Sequence, residues 1–230
     1  MQVFSKFSAP PEQPQVTLST TDLIPHLRRY KEFLETLSRF NTVGKLRKRV
    51  QIEQVVVVPQ PFGALCTAIL GKDGKVTDAG LAAQRVGVID VGTYTTDYIV
   101  TDNLHYIRAR SSSITSGLAA AYTVIADEIE RHYGLELTLH QVDEAVRNGY
   151  VKVEKERQDI AHLVETPLND LADKIVTGVR ERWKNARDIE TILISGGGAV
   201  VLQRRLAAHW SQARPASPQA AWDNARGFGG

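Results

Sequence analysis

The sequence predicts an α/β fold, and three observations carry that prediction. Residues 86–100 place an apolar run, Asp90, a hydroxyl-rich turn starting at Gly92 and a second apolar run in direct succession. Residues 55–64 run from four valines through Pro59, Gln60 and Pro61 towards a helix, and residues 191–200 carry a strand through Gly196, Gly197 and Gly198 to a helix start. Continuous β-branched runs of this kind belong to strands covered on both faces, and the helical periodicity between them supplies the covering layers.

Taken in order, the three prolines of residues 8–15 predict an extended, exposed segment. Thr20, Thr21 and Asp22 then offer cap oxygens to a helix whose apolar positions Leu23, Leu27, Tyr30, Leu34, Leu37 and Phe40 recur at steps of three and four. The basic run at residues 45–49 reads as a solvated turn leading into a strand over 50–58, which Pro59 and Pro61 end. A tight turn at 71–75 and a loop or short helix over 75–83 precede a hairpin spanning 85–101.

After the Asp102-Asn103 turn a third strand is expected over 105–110, completing a meander. Helices follow at 118–133 and 139–147, then one long helix from about 154 to 185, broken or bent at Pro167. The chain closes with a strand at 190–195, a helix from 199 to about 210 and a proline-punctuated end. On this organisation residues 1–83 form one segment, and residues 84–230 form a second that carries the hairpin and the glycine turn.

With 230 residues, 43% of them hydrophobic, the chain is long enough to bury a full core. A net charge of +2 gives no general electrostatic drive towards nucleic acid. Cys66, the single cysteine, lies in a helical stretch and reads as a small buried hydrophobe, which fits a reducing cytoplasm. No apolar stretch reaches the length of a bilayer span, and the opening residues lack a basic region followed by an apolar core. His132, His140 and His162 stand on separate elements without a second ligand three or four residues on, so no metal cluster is expected there.

The hairpin carries the chemistry. Its turn can hold phosphate oxygens against backbone N–H groups and threonine hydroxyls, while the carboxylate at the strand end faces their Mg2+. Asp97 reads as a residue that ties the hairpin. Each turn alone has an ordinary structural reading, so the informative feature is the trio in order.

A strand ending in Pro-Gln-Pro-Phe-Gly-Ala, the hairpin from Asp90 to Asp97, and Ile-Ser-Gly-Gly-Gly-Ala-Val leading a helix resemble the actin/heat-shock-protein/sugar-kinase ATPase superfamily. Within it they are most similar to plasmid-segregation actins of the ParM/StbA type and their archaeal relatives. The resemblance spans about residues 50–230, and Asn224-Ala-Arg-Gly-Phe228 is similar to that subgroup's C-terminal signature. It implies a ribonuclease H-like, actin-type fold with one complete half and one N-terminally incomplete half.

The resemblance also implies roles. Gln60 would orient the attacking water, and Asp90 would bind Mg2+ through its water shell. The N–H groups of Gly92, Thr93 and Tyr94, with the Thr95 hydroxyl, would cradle phosphate. Gly196, Gly197, Gly198 and Ala199 would form the adenosine turn. ATP or GTP with Mg2+ is the implied cofactor. The implied partners are further copies of the chain, in filaments or dimers, and a DNA-binding adaptor, with no direct contact to nucleic acid or membrane. The implied function is ATP-dependent polymerisation in the cytoplasm, for plasmid segregation or related cytoskeletal work. A catalytically silent interaction module of the same fold and a metabolite kinase are the alternatives.

Two departures from the family pattern matter. Thr93, followed by the bulky Tyr94, stands where a second glycine is frequent, and a positive φ at Thr93 would be strained by its β-branch. No N-terminal hairpin with an Asp-x-Gly turn is read before residue 90, so the first phosphate loop is expected to be missing. Weak nucleotide binding and slow or absent hydrolysis are then expected unless another polypeptide supplies that loop.

Overall fold

The computed structural model describes residues 2–6, 17–19, 54–71, 73–218, 220, 223, 224 and 227, with the backbone alone for 2–6, 17–19 and 54–57. The extended segment at 8–15, the helix over 23–40 and the basic run at 45–49 lie outside the described residues. Strands β1 (Gln2–Lys6), β2 (Thr17–Ser19) and β3 (Gln54–Val58) form an antiparallel sheet in the order β2-β1-β3. β1 and β2 add to the expected elements.

Helix α1 (Phe62–Ile69) starts directly after the Pro59-Gln60-Pro61 turn, where Phe62 N–H donates to Pro59 O at 3.0 Å and Gly63 N–H to Gln60 O at 3.0 Å. The turn at 71–75 is closed by Gly71 N–H on Lys75 O. Helix α2 (Ala79–Ala83) follows, capped by Asp78 through the Leu81 N–H at 2.8 Å.

Strands β4 (Arg85–Val91) and β5 (Thr96–Asp102) pair along their whole length as the expected hairpin. The third strand is shorter than expected. β6 covers only His105–Tyr106; the chain then leaves the ladder through a 3-10 turn at Arg108–Arg110 and returns to β5 as β7 (Ser112–Ile114). Ser111 explains the excursion, because its hydroxyl accepts from Val100 N–H at 3.1 Å and donates to Ile107 O at 2.9 Å in place of ladder bonds.

Helices α3 (Leu118–Tyr133) and α4 (Leu139–Asn148) match expectation, each ending on a left-handed glycine, Gly134 and Gly149. The long helix does not begin at 154. Residues 150–159 form a hairpin of β8 (Tyr150–Val153) and β9 (Glu156–Asp159), turned by Glu154 and Lys155 at φ 47° and 78°. Asp159 then accepts from Ala161 N–H at 2.9 Å and helix α5 (Ala161–Trp183) starts. It runs through Pro167 without ending, because the buried stripe Leu163, Leu168, Leu171, Ile175 and Val179 outweighs one missing hydrogen bond.

Strand β10 (Thr191–Ser195) and helix α6 (Ala199–Ala207) follow, and β11 (Ala213–Pro215) is a strand the sequence did not announce. α6 ends before residue 210 because Trp210 folds back into the core. Pro215 sits in an edge strand, where its missing N–H costs least.

The main sheet runs β11-β10-β4-β5-β6, with β7 beside β5; β11, β10 and β4 are parallel, and β5 is antiparallel to its neighbours. Alternation along β4 and β10 assigns the faces. Ile89, Val91, Ile192 and Ile194 pack towards α3, α4, α5 and α6, while Val86, Val88 and Leu193 pack towards α1 and α2. Both faces are covered, as the unbroken apolar runs require. Gly87 on the first face leaves room for Trp183, whose ring occupies the space a Cβ would need. Asp90 belongs to the second face, at the end nearest α1. Among the described residues no helix is long and apolar enough to cross a membrane.

Candidate functional site

β4 and β10 are parallel neighbours with Asp90 and Ser195 in register, so their C-terminal ends deliver the hairpin turn and the glycine turn side by side. Such strand ends are where α/β sheets bind ligands. The turns touch: Gly198 N–H donates to Val91 O at 2.9 Å. Gly196 has φ +86°, and a Cβ there would stand 2.4 Å from both Asp90 Oδ1 and Val91 O. A Cβ on Gly198 would meet Val91 Cγ1 at 2.5 Å, whereas one on Gly197 would meet nothing within 4 Å. Ala199 is fully buried, with its N–H on Gly196 O. Of the four residues expected to approach a nucleoside, Gly197 faces open space, Gly196 and Gly198 press the turn against β4, and Ala199 closes the turn on itself.

The hairpin turn is oriented by helix α3. Gly92 O accepts from Leu118 N–H at 3.1 Å and Thr93 O from Ala119 N–H at 2.8 Å. Gly117 must be glycine for this approach, since a Cβ would stand 2.7 Å from Gly92 O. In trans peptides N–H and C=O point oppositely, so the N–H groups of Thr93 and Tyr94 point away from α3. No described group accepts from the N–H of Thr93, Tyr94 or Thr95.

The expected role of Gly92 needs correcting: its N–H closes the turn on Thr95 O at 2.9 Å and is turned inward. Neither Thr93 nor Tyr94 takes a positive φ, so the anticipated β-branch strain does not arise. The Thr95 hydroxyl donates to Asp97 Oδ2 at 3.5 Å, and Tyr94 is 71% exposed at the tip.

Two carboxylates lie across the hairpin, Asp90 opposite Asp97. Asp90 is 3% exposed, and its Oδ2 accepts from Asn224 Nδ2 at 2.6 Å. Burial pushes its carboxyl up to about 7, the Asn224 hydrogen bond opposes that rise, and the neighbouring Asp97 adds to it. Asp97 and Gln60 line one open cleft of about 710 Å³, together with Tyr106, Arg108 and Arg182. Gln60 thus shares this cleft with Asp97, while Asp90 lies across the hairpin from Asp97 and does not line it.

The donor set fits a hydrated cation better than a stripped one. Asp90 has Gly196 against Oδ1 and Asn224 on Oδ2, while Mg2+ keeps several of its waters in any case. Among the described residues no group of three or more His, Cys, Asp or Glu could hold a metal directly.

Sequence reasoning left two site residues without a role. Asn224 comes from the closing segment, 134 positions from Asp90. Arg147 on α4 donates through Nη2 to Gly197 O at 3.1 Å and through Nε to Asp143 Oδ2 at 2.7 Å, and Asp143 also accepts from the Tyr122 hydroxyl at 2.6 Å. The i,i+4 spacing of Asp143 and Arg147 was the available signal for the second.

A helix-covered sheet of this order, with two turns meeting at the ends of adjacent strands, defines an actin-type α/β protein. A family profile described as archaeal actin homologue MreB-like, C-terminal, matches residues 88–208, more than half of the chain, and the chain belongs to that family.

Solved structures share the fold. An archaeal actin homologue in complex with ADP superposes with a TM-score of 0.63 at 20% identity, covering 75% of this chain and 56% of that one. A ParM from a 15-stranded Clostridium botulinum filament gives 0.66 at 18% identity, covering 90% and 63%. Bacillus thuringiensis ParM with AMPPNP gives 0.56 at 14% identity, covering 72% and 51%. The chain therefore spans between half and two thirds of the length of these proteins. No curated protein matches in sequence.

Proposed function

We propose that this chain is the nucleotide-binding part of an actin-like protein that polymerises in an ATP-dependent manner, for plasmid segregation or related cytoskeletal work. One observation carries the reading: the Asp90 hairpin and the Gly196–Gly198 turn meet over adjacent strand ends, with outward N–H groups on one and open space at the other. Fold relatives solved with ADP and with AMPPNP support nucleotide binding by this fold.

In this reading the N–H groups of Thr93, Tyr94 and Thr95 hold phosphate oxygens, and Gly197 admits the nucleoside. Gln60 aims a water at the terminal phosphate, its amide able to accept and donate at once. Asp90 and Asp97 face the water shell of Mg2+. The bound ATP supplies the phosphoanhydride, and its metal supplies a counter-charge. Arg147 steadies the glycine turn. The filament of a fold relative supports self-association of this chain. A net charge of +2 favours reaching DNA through an adaptor over direct contact.

Titration with a fluorescent ATP analogue and Mg2+, followed by sedimentation with a nonhydrolysable analogue, tests the proposal. Saturable binding and nucleotide-dependent pelleting are expected. Absence of binding removes the nucleotide reading. Binding without pelleting removes polymerisation and leaves an interaction module, a role the enclosed Asp90 also suits.

A further inference from the structure

We infer that the described residues of the closing segment, Ala220, Asp223, Asn224 and Gly227, act as a positioning strap of the candidate site, and that Asn224 is its positioning residue, locking Gln60 and the Asp90 hairpin into one geometry. The inference rests on the nucleotide reading for its effect on turnover, and on geometry alone for the coupling.

Helix α1 has no cap of its own. Pro61 stands at its N-cap and offers no side-chain acceptor; Phe62 and Gly63 N–H donate to the Pro59 and Gln60 carbonyls, which leaves Ala64 N–H to find a partner elsewhere. Asn224 supplies one from 160 positions away: its Oδ1 accepts from Ala64 N–H at 3.1 Å. The same amide donates through Nδ2 to Asp90 Oδ2 at 2.6 Å. A primary amide can serve as cap and carboxylate donor at once, through separate oxygen and nitrogen atoms.

What Asn224 holds is the start of α1, and the start of α1 holds Gln60. The Gln60 carbonyl accepts from Gly63 N–H at 3.0 Å, one residue before the N–H that Asn224 caps. The neighbouring strap contacts reinforce the lock. Thr67 Oγ1 donates to Asp223 O at 2.6 Å, and Gly227 lies so close to α1 that a Cβ on it would stand 1.8 Å from Gly63 O.

The strap reaches the third element as well, since Ala220 O accepts from Gly196 N–H at 3.1 Å and from Ser195 Oγ at 3.4 Å. One segment therefore touches the helix behind Gln60, the hairpin carboxylate and the glycine turn. Asn224 does not line the cleft itself, and both ends of its amide are engaged by the protein. Its action on the reaction is through Gln60 and Asp90.

The test compares wild type with Asn224→Ala and with Thr67→Val, which cuts a strap contact but leaves the Asn224 bridge. In the nucleotide-free chain, hydrogen exchange of the amides at 62–66 and of the Gly92 amide, which closes the hairpin turn on Thr95 O, should quicken together in Asn224→Ala, and stay at wild-type rates in Thr67→Val. With Mg-ATP, Asn224→Ala should lower kcat by about tenfold to a hundredfold while KM stays within about twofold, because misplacing an orienting group costs rate rather than binding.

If Asn224→Ala does not fold, the isosteric Asn224→Asp keeps the acceptor for Ala64 and loses the donor to Asp90. It should then keep 62–66 protected and quicken exchange at Gly92. Wild-type exchange rates at Gly92 in the Asn224 variants, or equal losses of kcat in Asn224→Ala and Thr67→Val, overturn the inference. A wild-type chain that does not turn over Mg-ATP overturns the effect on turnover, and one that binds no nucleotide overturns the nucleotide reading with it, while the exchange data still decide the coupling.

Discussion

Gly196 lies against the carboxylate of Asp90 so closely that a Cβ on it would stand 2.4 Å from Oδ1 and the same distance from the Val91 carbonyl. The contact joins the two turns of the site. It also separates the roles of adjacent glycines, which their sequence does not.

Gly196→Ala should cost about 2–4 kcal/mol, combining a strained left-handed φ with displacement of backbone atoms. Gly197→Ala, with open space at its Cβ position, should change stability by less than about 1 kcal/mol and act on nucleotide affinity instead. Denaturant unfolding and analogue titration of the two variants read these separately.

Asp90 makes stability pH-dependent in an unusual direction. Its folded pKa of about 7 lies above its unfolded value near 3.9, so the native state keeps a proton that the unfolded chain releases. The stability it contributes is full below about pH 4 and falls as pH rises to about 7. Asp90→Asn should remove that slope, raise stability at neutral pH by on the order of 2 kcal/mol, and weaken Mg-nucleotide binding. Thermal unfolding across this pH range checks the sign; stability that rises from pH 4 to 7 equally in both proteins contradicts it.

Gln60→Ala should leave nucleotide affinity close to wild type and reduce single-turnover hydrolysis by about tenfold or more, because the residue orients water and does not hold phosphate. A large loss of affinity with unchanged turnover would assign Gln60 to binding.

Arg147→Ala removes the donor to Gly197 O and the partner of Asp143. The ion pair is partly exposed, so its loss should cost less than about 1 kcal/mol. The glycine turn loosens nonetheless, and nucleotide affinity should fall by several-fold more in this variant than in Tyr122→Phe. Equal affinities in the two variants would remove the clamp.

The sequence was legible where signals are local. The hairpin of β4 and β5, the ends of α3 and α4, and the meeting of Asp90 with the glycine turn all follow from apolar runs, glycine stops and strand order. β8 and β9 escaped because their turn is Glu154-Lys155, without the Asn-Gly or Gly-Gly pair that marks such a turn, and β9 is almost wholly polar. β6 stopped early because one serine hydroxyl replaced ladder bonds. The inward N–H of Gly92 and the reach of Asn224 are tertiary facts, fixed by a helix start and by a closing segment whose place in space no neighbouring residue announces.

The carbonyls of Gly92 and Thr93 seated on the start of α3 have an electrical consequence. Each belongs to the peptide unit whose N–H is that of Thr93 or Tyr94, so a bond accepted on one side polarises the donor on the other, by about 10–30%. The positive end of the α3 macrodipole is thereby conducted through two peptide planes to the tip of the hairpin. An anion resting there would feel a sixteen-residue helix without touching it, and a side chain at Gly117 would break the connection without altering a single residue of the tip.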